Sequence, residues 1–258
     1  VGRMPELLPV KLTVSDEERG VRKVYNCQVV EHPDLTKTLV TAAVMSSMDA
    51  TFQSQSPYVV KVKTDIDVEG HGRVERTDRF AVNFPAHLGG ASDLLARLHI
   101  VREPVSGFVG GLVDRIVDND FQKARVTAVN VDITVDAGRK VSHIERIALD
   151  KGTVAPGDKV TLSCTLKPFN GESQIEKMVF TIPRDLPDGD VAIGICGGDE
   201  VEALRKRMGV ADPQAENLGQ IIGRIKRRER ADKLCGIIAL PRQSLVLNGE
   251  ILRNPPAQ

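Results

Sequence analysis

The stretch Val129-Asn130-Val131-Asp132-Ile133-Thr134-Val135 is the clearest fold signal in the chain, because apolar and polar residues alternate in it without interruption. A period of two puts the apolar side chains on one face of a β-strand and the polar ones on the other. Similar strands recur downstream, at 141–149 (with a spacing that indicates a bulge), 160–166, 178–182 and 191–195. Turn sequences such as Pro156-Gly157-Asp158 separate them. This regular series predicts an Ig-like antiparallel β-sandwich over 123–198.

Upstream of this stretch, helical and strand patterns are mixed. Alternation near 10–14 and 25–29 predicts a strand pair, and apolar residues near helical spacing predict a helix over 35–50. Alternation from Val60 to Val68 predicts a half-solvated antiparallel strand. A further helix is predicted between Ser92 and Pro104. Residues 1–122 are therefore predicted to form an α+β domain of strands and helices.

Downstream of Gly198, the apolar period changes to that of helices. Apolar residues recur at helical spacing over 201–208 and again over 218–225, and the apolar run 234–240 predicts a last strand. Residues 199–258 are therefore predicted to form a helical tail with a terminal strand. The fold class of the whole chain is predicted to be α+β.

Composition excludes several kinds of partner. The 258 residues include 35 Lys and Arg against 35 Asp and Glu, and aromatic residues make up only 3% with no Trp. Nucleic-acid-binding proteins carry a basic surplus, and single-stranded bases stack on aromatic side chains, so no nucleic acid is expected as a partner. No apolar run approaches the about 20 residues of a membrane-spanning helix.

Neither a metal nor a cofactor site is predicted. The cysteines at 27, 164, 196 and 235 form no C-x-x-C pair, and the five histidines form no H-x-H or H-E-x-x-H motif. A Cys164–Cys196 disulfide is one option, which spacing alone does not decide. The glycine-rich segment 194–198 resembles a phosphate-binding loop, but Asp199 and Glu200 follow it and would repel phosphate.

No catalytic residue is predicted either. Ser106 precedes Gly107 but lacks the G-x-S-x-G context of a nucleophile elbow. A serine hydrolase that uses Ser106 and a distant His is the enzymatic alternative, because members of a catalytic triad meet only in space.

One basic cluster interrupts the local neutrality of the chain. Arg224, Arg227, Arg228 and Arg230 lie at the predicted end of the 218–225 helix. Cations at a helix C-terminus stabilise the helix dipole, so a solvated helix end explains them. The alternative is a patch that binds an anionic partner.

Several short segments together resemble the region downstream of the peptidase domain in bacterial serine-peptidase proteins of the SpoIVB (sporulation stage IV B) type. They are residues 1–10, 29–36, 119–121, 156–158, 166–172, 182–187 and 218–240. The catalytic His and the Ser of that family's Gly-Met-Ser-Gly-Ser-Pro-like stretch have no counterpart here, so no catalytic residue is carried over. The resemblance implies an extracytoplasmic location in the cell envelope.

The first hypothesis is therefore a non-catalytic accessory region that positions a preceding peptidase domain or binds a protein partner. The second is the Ser106 hydrolase. The third is a structural or assembly protein that forms homo-oligomers through the 108–117 segment or through free sheet edges.

Overall fold

The computed structural model describes residues 6–52, 58–82, 105–138, 140–210, 212–240, 244–247 and 250–253. The helix predicted between Ser92 and Pro104 lies outside these residues. The chain forms two compact units, and each contains two segments of sequence. Unit 1 comprises Val1–Arg139 and Glu216–Arg230, and unit 2 comprises Lys140–Ala215 and Ala231–Gln258. The architecture is mixed α+β with mostly antiparallel strands, as predicted.

Unit 1 is built on a five-stranded sheet with the order β2-β1-β5-β3-β4. Its strands are β1 (Leu7–Asp16), β2 (Val21–Val30), β3 (Tyr58–Val68), β4 (Gly72–Val82) and β5 (Val126–Ala137). Strand β5 pairs parallel with β1 and antiparallel with β3, and the other pairs are antiparallel. The apolar residues of each strand alternate onto one face, which forms the core of unit 1.

Three helices contribute to this core. They are α1 (Thr36–Thr51), α2 over 105–117 and α4 (Leu218–Arg227). Their buried residues, among them Val44 on α1, Val109 on α2 and Ile222 on α4, belong to the same apolar cluster as the strands. At Gly110 the backbone of α2 approaches α1 so closely that a Cβ atom would overlap Thr41. The other face of the sheet carries Lys, Asp, Asn and Thr side chains, as the alternation in β3 and β5 predicts.

The position of β5 corrects the predicted domain division. The sequence assigns this strand to a sandwich over 123–198, but β5 lies at the centre of the unit 1 sheet, and unit 1 extends to Arg139. Alternation shows that a strand buries one face. It does not show which strands will become its neighbours, because hydrogen-bonding partners come from distant parts of the chain.

Helix α4 gives a second correction. The sequence places it in a tail over 199–258, whereas residues 216–230 belong to unit 1. Its Leu218, Ile222 and Ile225 are buried in the unit 1 core. The amphipathic pattern predicts a helix with one buried face, but nothing in that pattern identifies the surface that will cover it.

Unit 2 contains a three-stranded sheet, β6-β7-β8, and a two-stranded sheet, β10-β9. The strands are β6 (Ser142–Leu149), β7 (Lys159–Pro168), β8 (Gln174–Thr181), β9 (Ala192–Gly197) and β10 (Leu234–Ala239). The pairing of β6 with β7 shifts between Ile144 and Arg146, which confirms the predicted bulge.

The core of unit 2 lies between these sheets. Val160 of β7 shares an apolar cluster with Ile193 of β9 and Ile238 of β10. A Cβ atom at Gly236 of β10 would lie 2.7 Å from the ring of Phe180, so the strands approach closely there. Helix α3 (Val201–Arg207) contacts β9 and β10, and β11 (Ser244–Leu247) pairs with β12 (Glu250–Arg253). Among the described helices, none combines the length and apolar character that a bilayer crossing requires.

Candidate functional site

The four arginines of the predicted basic cluster lie in the last turn of α4 and just after it. Arg224 and Arg227 lie in its last turn, and Arg228 is the C-cap. Arg227 is exposed, whereas Arg224, Arg228 and Arg230 are half-buried. The side chain of Arg230 lines a concavity with residues of β3, β4 and β5, all of which belong to unit 1. Arg230 thus lines this concavity, and its neighbours there are not the other three arginines of the predicted patch.

A buried ion pair fixes the segment that carries Arg230. Arg76 Nε of β4 donates to Asp78 Oδ2 at 2.6 Å, and both side chains are at most 5% exposed. The same guanidinium donates to the carbonyls of Ile225 (3.4 Å), Arg228 and Glu229 (2.6 Å). A helix leaves its last carbonyls without intrahelical partners, so Arg76 satisfies the C-terminus of α4 and its extension. The backbone immediately before Arg230 is thereby anchored to the sheet.

The concavity lies on the open face of the sheet and has a volume of about 350 Å³. Strand register places its lining residues in two adjacent rows across β5, β3 and β4. The first row is Thr134, Lys61 and Arg79, and the second is Asp132, Lys63 and Thr77. Arg230 completes the lining from the segment after α4.

Charge in this concavity is strongly asymmetric. Four cationic side chains and one carboxylate, that of Asp132, line it. Lys63 Nζ also lies 3.3 Å from Asp65 Oδ2, outside the lining, so part of its charge is offset. Lys61 instead stands directly opposite Arg79, a like charge. The first row therefore places two cationic side chains, Lys61 and Arg79, next to each other.

The sheet has a second concavity on the same face that differs in character. It has a volume of about 490 Å³ and is lined by residues of β1, β2 and β5, among them Lys11, Asn26, Gln28 and Asn130. Its one cation, Lys11, is flanked across the strands by the amides Asn26 and Asn130. The positive concavity is thus a local feature of the β3–β4 side.

Unit 2 presents a surface of a different kind at strand β6. This strand is an edge of its sheet, and all of its side chains are exposed. Ile144, Ile147 and Leu149 are 38%, 47% and 49% exposed. We call these three residues the β6 strip.

Register shows that the β6 strip continues the core face of the sheet. Ile147 stands opposite Cys164, and Leu149 stands opposite Leu162. Both β7 partners are buried, at 0% and 1% exposure. Opposed residues in an antiparallel pair share a face, so an apolar layer runs from the covered β7 to the uncovered β6. The bulge matters here, because it puts Ile144 and Ile147 on the same face although they are three residues apart.

Ser106 lies where no substrate can reach it in this conformation. It is 0% exposed within α2, and its carbonyl lies 3.5 Å from Thr41 Oγ1 of α1. An attacking hydroxyl must contact the substrate and a base, so this geometry offers no support to the hydrolase hypothesis.

The cysteines of the chain are all free thiols. Burial raises the pKa of the Cys27, Cys164 and Cys196 thiols, which keeps them protonated and poorly nucleophilic. The optional Cys164–Cys196 disulfide is not formed, because both residues are free thiols. Cys196 stands directly opposite Cys235 across the β9–β10 pair. Within the described residues, no group of three or more His, Cys, Asp or Glu side chains could hold a metal ion.

Sequence reasoning did not bring Lys61, Lys63 and Arg79 together with Arg230. The only local signal is that the lysines alternate with buried valines, which indicates a solvated strand face. Their convergence with Arg230 depends on pairs separated by up to about 170 positions of sequence, and no local pattern encodes it.

Comparison with known proteins adds no identity: no family model, curated protein or solved structure matches this chain.

Proposed function

We propose that this chain is a non-catalytic accessory region that binds a protein partner through strand β6, within an extracytoplasmic envelope protein of the SpoIVB peptidase type. The observation that carries the proposal is the β6 strip, an apolar layer left uncovered on an edge strand. The envelope location and the peptidase context rest on the sequence resemblance described above.

Edge strands present unpaired backbone N–H and C=O groups that an extended peptide can satisfy. A peptide that adds to β6 would gain these hydrogen bonds. If its alternate residues are apolar, they would also cover Ile144, Ile147 and Leu149. Burial of apolar surface contributes roughly 25 cal/mol per Å², so partial covering of three such side chains favours binding by a few kcal/mol before entropic costs. The partner is therefore an extended segment with alternating apolar residues, either from a preceding peptidase domain or from a separate protein.

This function suits a sandwich-like module. We propose that unit 2 is Ig-like in the broad sense that two sheets enclose its core, because Val160, Ile193 and Ile238 from both sheets share one cluster. Such domains commonly serve as binding modules on cell surfaces. The assembly hypothesis differs only in the occupant, since a second copy of the chain could supply the added strand.

The test uses a phage-displayed library of random dodecapeptides panned against the full chain. Selected peptides should carry apolar residues at alternate positions and bind with a measurable Kd in fluorescence polarisation. Ile147→Lys should weaken their binding at least tenfold, because a charge would replace the centre of the strip. Val179→Lys is the matched control, since Val179 is 59% exposed on the opposite edge strand, β8.

The proposal would be refuted if no peptide is selected and none binds. It would also be refuted if Ile147→Lys and Val179→Lys reduce peptide affinity equally. Sedimentation velocity of the same proteins distinguishes the assembly hypothesis from binding of a different protein. A wild-type dimer that Ile147→Lys converts to monomer would mean that a second copy occupies β6.

A further inference from the structure

We propose that Cys196 and Cys235 of unit 2 form a redox-active thiol pair, whose reversible disulfide joins strand β9 to strand β10. The connection between these strands runs through α3 and then through α4, which belongs to the core of unit 1. The disulfide would therefore tie together the two ends of a segment that leaves unit 2 and returns to it. The proposal uses no residue of the β6 strip and does not depend on the proposed function.

The first argument is the register of β9 and β10. Cys196 stands directly opposite Cys235. The Gly198 N–H donates to the Lys233 carbonyl at 2.9 Å, and hydrogen-bonded pairs recur at every second residue of an antiparallel ladder. Cys196 and Cys235 therefore form such a pair, with Cα atoms about 5.5 Å apart. Disulfides most often join Cα atoms about 5.5–6 Å apart, so the two sulfurs can be bridged while both strands stay folded.

The second argument is that the two thiols lie on the same face of the strand pair, as opposed residues do. On that face Cys196 belongs to an apolar cluster with Val201 of α3 and Ile237 of β10, and Cys235 packs against this cluster. The packing holds both side chains next to each other before any oxidant arrives. Little conformational entropy is then lost when the sulfurs are joined.

The third argument concerns the strength of the bond. The Cβ atoms of a disulfide lie about 3.5–4.5 Å apart, whereas those of opposed strand residues lie about 4.5–5.5 Å apart, with hydrogen-bonded pairs at the wider end. The two strands must therefore move about 1 Å closer at this point when the bond forms. A disulfide under such distortion is reduced more readily than a relaxed one, so we expect a reversible bond.

The difference in exposure sets the order of the reaction. Cys196 is 2% exposed, and its burial, the Cys235 thiol and the Glu200 carboxylate all raise its pKa. Cys235 is half-buried, so it is the thiol that a small disulfide such as oxidised glutathione reaches first. Its thiolate attacks one glutathione sulfur, the glutathione S–S bond breaks, and one glutathione leaves as a thiolate.

The second step closes the protein disulfide. Cys196 loses its proton to water, and its sulfur attacks Cys235 Sγ and displaces the second glutathione as a thiolate. Overall, two protein thiols are oxidised to one disulfide, and one glutathione disulfide is reduced to two thiols. The two protons that leave the protein are taken up by the two glutathione thiolates, so the reaction needs no further co-reactant.

The disulfide would close a covalent loop that contains α4. Residues 216–230 belong to unit 1, whereas β9 and β10 belong to unit 2. In the thiol form, noncovalent contacts hold the two ends of this loop together. In the disulfide form the ends stay joined when these contacts break, and the unfolded chain has less conformational freedom. Oxidation should therefore make the chain more resistant to unfolding.

The experiment is a redox titration of the full chain in glutathione buffers that range from fully reduced to fully oxidised. Acid quenching, alkylation in denaturant and peptide mapping identify the thiols that remain at each ratio. Cys196 and Cys235 should lose their thiols together and appear in one linked peptide pair, and excess reduced glutathione should reverse the change. Cys164 is the internal control, because it is 0% exposed and stands opposite Ile147 and Glu176, so it should keep its thiol throughout.

Two matched variants test the order of the steps. Cys196→Ala should stop at the mixed disulfide and carry one glutathione on Cys235. Cys235→Ala should leave the buried Cys196 as a thiol in every buffer. Urea unfolding of all three proteins shows that the variants fold. Oxidation should raise the urea midpoint of the wild type and leave the midpoints of both variants unchanged.

The proposal is overturned if Cys196 and Cys235 both remain thiols in the most oxidising buffer, or if either links to a different cysteine. It is also overturned if the disulfide persists in excess reduced glutathione, or if Cys235→Ala acquires glutathione on Cys196. An unchanged urea midpoint in the oxidised wild type would likewise contradict it.

Discussion

Replacement of Arg76 by Met should make helix α4 open more often from the sheet of unit 1. The Arg76 guanidinium pairs with buried Asp78 and donates to three carbonyls at and beyond the end of α4. Methionine is of similar length and apolar, so it fills much of the space but supplies no donor. The substitution therefore removes the Arg76–Asp78 ion pair and the side-chain donors to the end of α4 together.

The magnitude follows from the burial of the pair. Arg76 and Asp78 side chains are 5% and 3% exposed. Removing one partner of a buried ion pair costs about 3–5 kcal/mol, because a charge stays behind in a poorly solvated site. A loss of this size raises the population of locally opened molecules roughly 10²–10⁴-fold, since each 1.36 kcal/mol is a factor of ten.

Hydrogen exchange followed by mass spectrometry measures this opening peptide by peptide. Peptides that cover α4 should exchange roughly 10²–10⁴-fold faster in Arg76→Met than in the wild type. Arg73→Met is the matched control on the same strand. Arg73 also pairs with a carboxylate, Asp67, at 2.8 Å, but its side chain is 52% exposed, and exposed pairs contribute little.

A double variant separates the effect of the lost ion pair from the effect of the lost hydrogen bonds to the carbonyls of α4. Adding Asp78→Asn to Arg76→Met removes the buried carboxylate charge but does not restore the contacts with the carbonyls of α4, so exchange in α4 should slow only partly toward the wild-type rate. The reasoning is refuted if α4 exchanges at the wild-type rate in Arg76→Met, or if Arg73→Met accelerates α4 to the same extent.

Within unit 2, Gly236→Ala should lower stability by about 1–3 kcal/mol in urea unfolding, because the added Cβ overlaps the aromatic ring that it faces, whereas Gly152→Ala, in open space, should change little. Equal midpoints for the two variants would contradict the close approach of the strands. Oxidised glutathione should join Cys196 to Cys235, because opposed Cα atoms in an antiparallel pair lie about 4.5–5.5 Å apart, within the range of disulfides. Peptide mapping that finds another pair, or none, would refute this. Stability should fall as the pH rises above about 10, because burial raises the pKa of Tyr58 and the unfolded chain then loses that proton first. Tyr58→Phe should flatten that part of the pH profile measured by chemical denaturation, and an unchanged slope would show that other groups cause it.

Much of the local structure could be predicted from the sequence. The helix predicted over 35–50 is α1, Thr36–Thr51, and the spacing of apolar residues in 141–149 revealed the bulge of β6. These features can be predicted from nearby residues alone, because a strand or helix that buries one face repeats its apolar residues at its own period. The α+β class follows from the order of such segments.

Sheet membership could not be predicted in the same way. Strand β5 carries the most regular alternation in the chain, and that alternation is correct, yet the strand belongs to unit 1 and not to the predicted sandwich. Helix α4 has a clear apolar stripe, but only the tertiary structure shows that the unit 1 core covers it. An apolar pattern predicts that one face of an element is buried. Which other element covers that face depends on the packing of the whole chain.

For the candidate sites too, the sequence predicts some features and only the tertiary structure decides others. The sequence by itself determined the neutral composition, the apolar residues of β6, the lysines of β3 and the basic cluster around Arg230. Only the tertiary structure decided that β6 is an edge whose apolar face remains uncovered, and that Arg230 joins Lys61 and Arg79 while Arg76 holds the backbone beside it. The physical reason is that side-chain type and period are set along the chain, whereas exposure and charge density depend on which distant segments fold against one another.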